Sequence, residues 1–136
     1  MSTTAENSKQ VARNLYEGYS THDLKTVFDK YVSVDLVNHA MGGALSRQNW
    51  LDYDTAVLAA VPDLKATVLD QVAEENKVVT HWVFEGTHTE NLFDKPATGN
   101  PVRLEAVTID IIKDGKVAEH NIVADISTLM QAFETK

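Results

Sequence analysis

Apolar residues in the first half of the chain recur every three to four positions, which is the spacing of one face of a helix. Such a stripe runs from Val11 through Leu15 to Tyr19, and it predicts a helix over residues 3–20. Thr3 and Glu6 have the spacing of a capping box at its start.

Two further helices follow before the pattern changes. The second begins after Asp23 and extends to Tyr31, and the third begins after Ser46, whose hydroxyl suits an N-cap. The third helix ends at Pro62, and its apolar positions keep helical spacing at Trp50, Tyr53, Val57, Leu58 and Val61.

The second half of the chain alternates apolar and polar residues, as strands do. Four strand-like runs cover residues 64–73, 78–88, 102–112 and 117–124. A further strand is expected at 32–39 and a closing helix at 126–133. This order predicts a single α+β domain over residues 1–136, in which N-terminal helices cover a curved antiparallel sheet and leave a pocket at its open end.

Composition and charge then narrow the classes of function. The 136 residues include no cysteine, which excludes thiolate nucleophiles, disulfides and Cys-ligated metals. With 12 Lys and Arg against 20 Asp and Glu, the net charge is −8, which argues against nucleic acid as a partner. No run approaches the ~20 apolar residues of a membrane span, and the first residues lack the features of a signal peptide, so we expect a cytoplasmic protein.

The dipeptide Asp114-Gly115 is a strong signal for a two-residue hairpin turn. In a regular hairpin Lys113 lies opposite Lys116, and Ile109, Ile111 and His120 then share one strand face. That face is apolar apart from His120. We therefore expect this face to be buried or to line the pocket, with Ile109 and Ile111 among the lining residues and His120 as the polar exception.

Other histidines are weaker candidates. His39 follows Asn38 at the end of a predicted strand, where it could hydrogen-bond the adjacent loop or contact a ligand. His88 stands at the mouth of a long loop and could shape the rim or touch a ligand. His81 and Glu85 share a strand face, but His88 points to the opposite one, so no metal site is expected.

Large aromatic residues allow two interpretations. Trp82 lies on a predicted strand, and Trp50 and Tyr53 lie on the apolar face of the third helix. Each could be an ordinary core residue or part of a binding surface.

Asp125 lies at the junction between the last strand and the closing helix. Its carboxylate could cap that helix by accepting backbone N–H bonds. Alternatively it could face the pocket as a general base whose pKa is raised by apolar neighbours. The regular hairpin register sets Asp125 and His120 on opposite faces, so only a bulge or the strand's end would bring both into one cavity.

Two stretches resemble the SnoaL-like polyketide cyclases of the nuclear transport factor 2-like superfamily. Residues 85–89 read Glu-Gly-Thr-His-Thr and residues 96–99 read Pro-Ala-Thr-Gly, similar to the family's GTH-x-G and PPTG motifs. Residues 114–120 read Asp-Gly-Lys-Val-Ala-Glu-His, followed by Asp125, and resemble its DGK-I-x-EHW … D ending. The chain departs from the pattern at Glu90 and Asn121, and at Ile109 and Ile111, where polar partners of the aspartate are expected.

The resemblance implies a cone-shaped α+β fold and a cofactor-free enzyme that binds an apolar or polyketide-like small molecule. It also implies a homodimer or higher homo-oligomer. The aspartate at position 125 would remove a proton next to carbonyl groups, and the enolate would close a ring by intramolecular aldol addition. His120, His88, His39 and Asn38 are candidates to polarise or orient the substrate. An isomerase, dehydratase or hydroxylation partner on the same fold, and a non-catalytic carrier of apolar molecules, are the alternatives.

Overall fold

The computed structural model describes residues 4–43 and 45–134. Its helices are α1 (Thr4–Glu17), α2 (Leu24–Tyr31), α3 (Arg47–Ala60) and α4 (Ile126–Gln131). Its strands are β1 (Val32–Asn38), β2 (Lys65–Glu74), β3 (Lys77–Thr87), β4 (Pro101–Lys113) and β5 (Lys116–Ala124). Short 3₁₀ turns cover Gly18–Thr21 and Ala40–Gly43.

Within the described residues the strands form one curved sheet in the order β1-β5-β4-β3-β2. β2 to β5 make the expected antiparallel meander, whereas β1 adds to the far edge in parallel with β5. The predicted α+β class is therefore confirmed, and the edge strand makes the sheet mixed. The closing helix ends at Gln131, earlier than expected, and the predicted capping residue Thr3 lies outside the described residues.

α1 packs on the inner face of the sheet because its buried residues fall on one side of the helix. Ser8, Ala12, Leu15 and Tyr16 follow the i, i+4, i+7, i+8 spacing of a core-facing stripe. The Tyr16 ring stacks on Trp82 of β3 at a centroid distance of 4.8 Å. This contact brings the polar end of Tyr16 deep into the domain.

α3 is fixed at both ends. Ser46 caps it by accepting a hydrogen bond from the backbone N–H of Asn49 at 3.0 Å. At the other end the chain passes so close to β3 that a Cβ on Gly86 would lie 2.4 Å from Val61 Cγ1 and 2.7 Å from Asp63 Oδ1. The glycine of the Gly-Thr-His motif thus permits this close approach.

The hairpin of β4 and β5 departs from the regular register that the sequence predicted. Lys113 lies opposite Lys116 as expected, but a bulge at Ala118 shifts all later pairs, so that Asp110 lies opposite His120. In the regular register Asp110 would face Glu119, and like charges directly opposite each other destabilise a sheet. The bulge replaces that repulsion with an Asp–His pair.

The bulge also changes which β4 residues share a face with His120. Leu104, Ala106, Thr108 and Asp110 are the buried, inner-face residues, so Ile109 and Ile111 lie on the opposite, outer face. The prediction that Ile109 and Ile111 line the pocket is therefore wrong.

None of the helices in residues 4–43 and 45–134 is both long and apolar enough to cross a membrane.

Candidate functional site

A cavity of about 440 Å³ lies between the inner face of the sheet and the helices α1, α3 and α4. Its walls are mainly aliphatic and aromatic. The lining residues with polar atoms are Tyr16, Tyr19, Asn38, Trp50, Tyr53, Asp54, Trp82 and His120. An apolar cavity with a few convergent polar groups is the usual form of a small-molecule site.

His120 is held in this wall by a buried carboxylate. Its Nδ1 lies 2.7 Å from Asp110 Oδ1, and the Tyr16 hydroxyl donates to Asp110 Oδ2 at 2.6 Å. Burial, followed by the Asp110 charge, raises the pKa of Tyr16 well above its usual value, so Tyr16 stays a protonated donor. No described residue hydrogen-bonds Nε2 of His120, which leaves that nitrogen for a molecule in the cavity.

Asp54 of α3 is the second ionisable group in the cavity wall. Its Oδ2 accepts hydrogen bonds from the Tyr19 hydroxyl at 2.5 Å and from Trp50 Nε1 at 2.9 Å. Burial raises the pKa of Asp54, and the two donors and His120 offset only part of that shift. A carboxyl group in this position titrates closer to neutrality than an exposed one, as general acid/base catalysis requires.

Trp50 links the two ionisable groups. Its ring stacks on the His120 imidazole at a centroid distance of 4.1 Å and an angle of 16°, while its Nε1 donates to Asp54. Phe28 packs edge-on against the same indole at 4.7 Å. Because Trp50 is fixed on both sides, Asp54 and His120 are held in a defined relation across the wall.

Asn38 lies beside His120, since β1 and β5 pair at these two residues. Its Oδ1 accepts the backbone N–H of Ala40 at 2.9 Å, which identifies the other amide atom as the NH₂ group. That NH₂ has no partner among the described residues, and Asn38 lines the cavity. It can donate a hydrogen bond to an oxygen of a bound ligand.

Asp125 is exposed and serves as the N-cap of α4. Its Oδ1 accepts the backbone N–H of Thr128 at 3.1 Å, and the hydroxyls of Thr128 and Ser127 donate to the same carboxylate. These bonds lower the pKa of Asp125, the opposite of what a general base near neutrality needs. The structure thus gives Asp125 the capping geometry, and it is not among the residues that line the cavity.

His39 and His88 lie away from the cavity lining. His39 is half-exposed and pairs with Glu119 at 2.9 Å on the outside of β5. His88 is fully buried, where its Nδ1 accepts the Thr98 backbone N–H at 3.3 Å and its ring packs edge-on against Phe133 at 4.8 Å. The Gly-Thr-His and Pro-Ala-Thr-Gly motifs thus meet in a structural anchor that holds the chain after α4.

Of the sequence-predicted residues, the cavity brings together Asn38, Trp50, Tyr53, Trp82 and His120. His81 pairs with Glu105 at 2.9 Å on the sheet's outer face, whereas His88 is buried in the domain. In residues 4–43 and 45–134 no three His, Asp or Glu side chains are arranged to hold a metal ion.

The sequence interpretation missed Asp54, Asp110 and Tyr16. A signal for Asp54 was present, because it stands four residues after Trp50 and three before Val57, within the apolar stripe of α3. A carboxylate on that face is unfavourable in a packed apolar core, so its presence there indicates a cavity. The sequence contains no such signal for Asp110, because Asp110 lies opposite His120 only through the bulge at Ala118.

Comparisons with known proteins support this fold. The profile of the SnoaL-like polyketide cyclase family matches residues 9–133. No curated protein matches the chain significantly.

Several solved structures share the fold over nearly the whole chain. AclR, a proposed hydroxylase from Streptomyces galilaeus, is similar with a TM-score of 0.81 and 25% identity, over 93% of this chain and 94% of that chain. Wild-type IdmH, a proposed polyketide cyclase from Streptomyces antibioticus, has a TM-score of 0.75 and 28% identity, over 92% and 96%. TsrD from Streptomyces laurentii, with a TM-score of 0.78 and 21% identity over 96% of both chains, is alike in fold.

The family match covers the region from α1 to the end of the fold, including β5 and its His120, and it agrees with the architecture and with the motif resemblance. The chain belongs to the SnoaL-like polyketide cyclase family.

Proposed function

We propose that this protein is a cofactor-free acid/base enzyme that closes a ring in an apolar, carbonyl-containing small molecule such as a polyketide. One observation carries the proposal: the Asp54 carboxylate and the His120 imidazole share one mainly apolar cavity. In the proposed mechanism the catalytic pair is Asp54 and His120, and Asp125 supports α4 instead.

Asp54 is the base of the first step. Carbonyl groups acidify the neighbouring C–H bond, so a carboxylate with a raised pKa is strong enough to take the proton. The NH₂ group of Asn38 donates to the enolate oxygen that forms. Apolar walls exclude water, which strengthens both interactions.

His120 is the acid of the second step. The enolate carbon attacks a second carbonyl of the same molecule, and a C–C bond forms as that oxygen becomes an alkoxide. Protonated His120, anchored at Nδ1 by Asp110, gives its Nε2 proton to the alkoxide. Asp54 then holds the proton that it took from carbon. Solvent carries this proton to His120, which restores the starting state of both groups.

A deuterium-exchange experiment tests the first step. α-Tetralone is incubated in D₂O with the protein, and proton NMR follows exchange at the carbon next to the carbonyl. We expect the protein to accelerate exchange, and Asp54→Asn to remove about 100-fold or more of that acceleration. The matched control is Asp52→Asn, at an exposed residue two positions earlier on the same helix, whose Oδ1 accepts a hydrogen bond from Gln48.

Either of two results would contradict the proposal: no acceleration by the wild-type protein, or full acceleration by Asp54→Asn. The ring-closing step is tested separately with 1-phenylhexane-1,5-dione, which yields a cyclohexenone on aldol closure and loss of water. Formation of the new C–C bond under the protein's control supports a cyclase.

The alternative functions use the same two groups. A proton taken by Asp54 and returned at another carbon gives an isomerase, and loss of a hydroxyl assisted by His120 gives a dehydratase. The similarity to AclR, a proposed hydroxylase, favours keeping a hydroxylation partner among these alternatives. The bonds present in the product distinguish these enzymes from one another. Ligand binding without proton exchange or turnover would indicate a carrier.

We also propose that two copies associate through the outer face of the sheet. Val72 and Val123 are 66% and 63% exposed there, and the strand register places the half-buried residues Val79, Ile109 and Val107 between them. Contiguous apolar surface of this kind marks an interaction site. Sedimentation should give a dimer that Val123→Lys dissociates, whereas Val34→Lys on β1 should leave it intact.

A further inference from the structure

Phe93 occupies an unusual position beside the mouth of the cavity. It lies in a tight turn in which Leu92 and Lys95 exchange both backbone hydrogen bonds, at 2.9 and 2.8 Å. Leu92 is buried in the domain, whereas the Phe93 side chain is 64% exposed.

The backbone of Phe93 has an unfavourable conformation for an exposed aromatic residue. Its φ is +52°, a left-handed conformation that bulky side chains rarely adopt and that glycine or asparagine adopts readily. A phenyl ring that is mostly exposed buries little apolar surface to offset the cost of this backbone conformation. Such strain is typical of residues that contact a ligand.

The Phe93 ring continues the wall of the cavity outward. Its centroid lies 5.8 Å from that of Tyr53, which lines the cavity and is itself 37% exposed. The Tyr53 hydroxyl contacts Met130 Sδ of α4 at 3.3 Å, and Ile126 of the same helix lines the cavity while 43% exposed. Three elements therefore present apolar surface around one opening, which we call the rim: Tyr53, Phe93, Ile126 and Met130.

We propose that the rim binds the distal, apolar end of the same ligand whose carbonyl end reaches Asp54 and His120. The substrate class is then an elongated hydrophobic carbonyl compound, longer than the enclosed cavity, with no charge at its outer end. This inference rests on the proposed function for the position of the carbonyl end. The continuity of the rim with the cavity wall through Tyr53 identifies the occupant as the cavity's own ligand.

Two ketones of different length test the rim. We expect acetophenone to lie within the cavity, and the longer alkyl chain of octanophenone to extend past Tyr53. Quenching of tryptophan fluorescence reports binding of each, because Trp50 and Trp82 line the cavity. We expect Phe93→Gly to weaken octanophenone binding roughly fivefold to tenfold, since about one aromatic contact surface is lost, and to leave acetophenone binding within about twofold.

Control variants separate the rim from a structural effect. Glycine suits a φ of +52°, so Phe93→Gly should unfold at the same temperature as the wild-type protein or a higher one. Phe93→Leu should retain part of the octanophenone affinity. Val34→Thr, at another exposed apolar residue on β1, should change neither affinity.

Unchanged octanophenone binding in Phe93→Gly, or an equal loss for both ketones, would overturn the rim proposal. A shift of the protein from dimer to monomer in Phe93→Gly would also overturn it, because the rim would then bind a second copy. Failure of the proposed function looks different. In that case the chain-length effect of Phe93 persists while the wild-type protein fails to accelerate α-tetralone exchange.

Discussion

His120 and Asp110 lie directly opposite each other on β5 and β4, with Nδ1 and Oδ1 2.7 Å apart. They meet only because β5 contains one extra residue, at Ala118, between its turn and His120. The bulge turns His120 toward the cavity and orients its imidazole through a fully buried carboxylate. A local irregularity of the sheet therefore fixes the orientation of the candidate acid, with Nδ1 on Asp110 and Nε2 free of a described partner.

Asp110→Asn should change the hydrogen bond that orients the His120 imidazole while keeping a side chain of the same size at this position. With Tyr16 still donating to the remaining oxygen, the new amide NH₂ faces Nδ1 and forces the neutral imidazole to carry its proton on Nε2. We expect ¹⁵N NMR of the histidine to show this tautomer, and ring closure of 1-phenylhexane-1,5-dione, the step that needs His120 as the acid, to fall by about 100-fold or more. Asp114→Asn in the turn of the same hairpin is the control, because asparagine tolerates its left-handed backbone. An unchanged tautomer would refute the role of Asp110.

Asp54 should make the protein less stable as the pH rises. Its pKa is raised in the folded state, so between about pH 4 and that pKa the folded chain binds more protons than the unfolded chain, and the free energy of unfolding falls with pH. Denaturant unfolding of wild type and Asp54→Asn across pH 4 to 8 should show the variant gaining relative stability over this range. Asp52→Asn is the matched control. A free energy of unfolding that rises with pH in the wild-type protein relative to Asp54→Asn would contradict the raised pKa of Asp54.

Asp125 should contribute to the stability of α4 with the opposite pH dependence. Its pKa is lowered by the capping bonds, so its contribution is present at neutral pH and is lost as the pH falls through the folded-state pKa. Hydrogen exchange of the α4 amides should be faster in Asp125→Ala at pH 7, and less so in Asp125→Asn, because an asparagine amide also caps helices. Equal protection in wild type and Asp125→Ala would show that the cap does not hold the helix.

Gly86→Ala should destabilise the fold at the contact between β3 and the end of α3. The added methyl group would lie 2.4 Å from Val61 Cγ1, so the two segments must separate, at a cost of about 1–3 kcal/mol. Denaturant unfolding measures this loss. Glu85→Ala, at the exposed neighbouring position, should change stability by less than about 0.5 kcal/mol, and an equal loss in both variants would contradict the close approach.

Sequence pattern was sufficient for the elements and for the class of fold. Helical spacing located α1 and α3, and Asp114-Gly115 located the β4–β5 turn, because these signals depend only on neighbouring residues. The family resemblance, carried by residues 85–89 and 114–120, was confirmed by the family match.

The composition of the site depended on facts that local patterns do not contain. The bulge at Ala118 places His120 on the face of Asp110 and not on that of Ile109 and Ile111, because a one-residue slip moves every later β5 side chain to the other face. Asp54 was overlooked because an acidic residue within a helix is most often solvated. The cavity that gives it a function forms only when α1, α3 and β5 pack together.

The central claim is that Asp54, and not Asp125, takes the proton from carbon in the first step. The most direct measurement compares α-tetralone exchange in D₂O by Asp54→Asn and Asp125→Asn under identical conditions, with both variants shown to be folded. We predict a loss of about 100-fold or more for Asp54→Asn and a change within about threefold for Asp125→Asn. Exchange that survives Asp54→Asn and is abolished by Asp125→Asn would contradict the account.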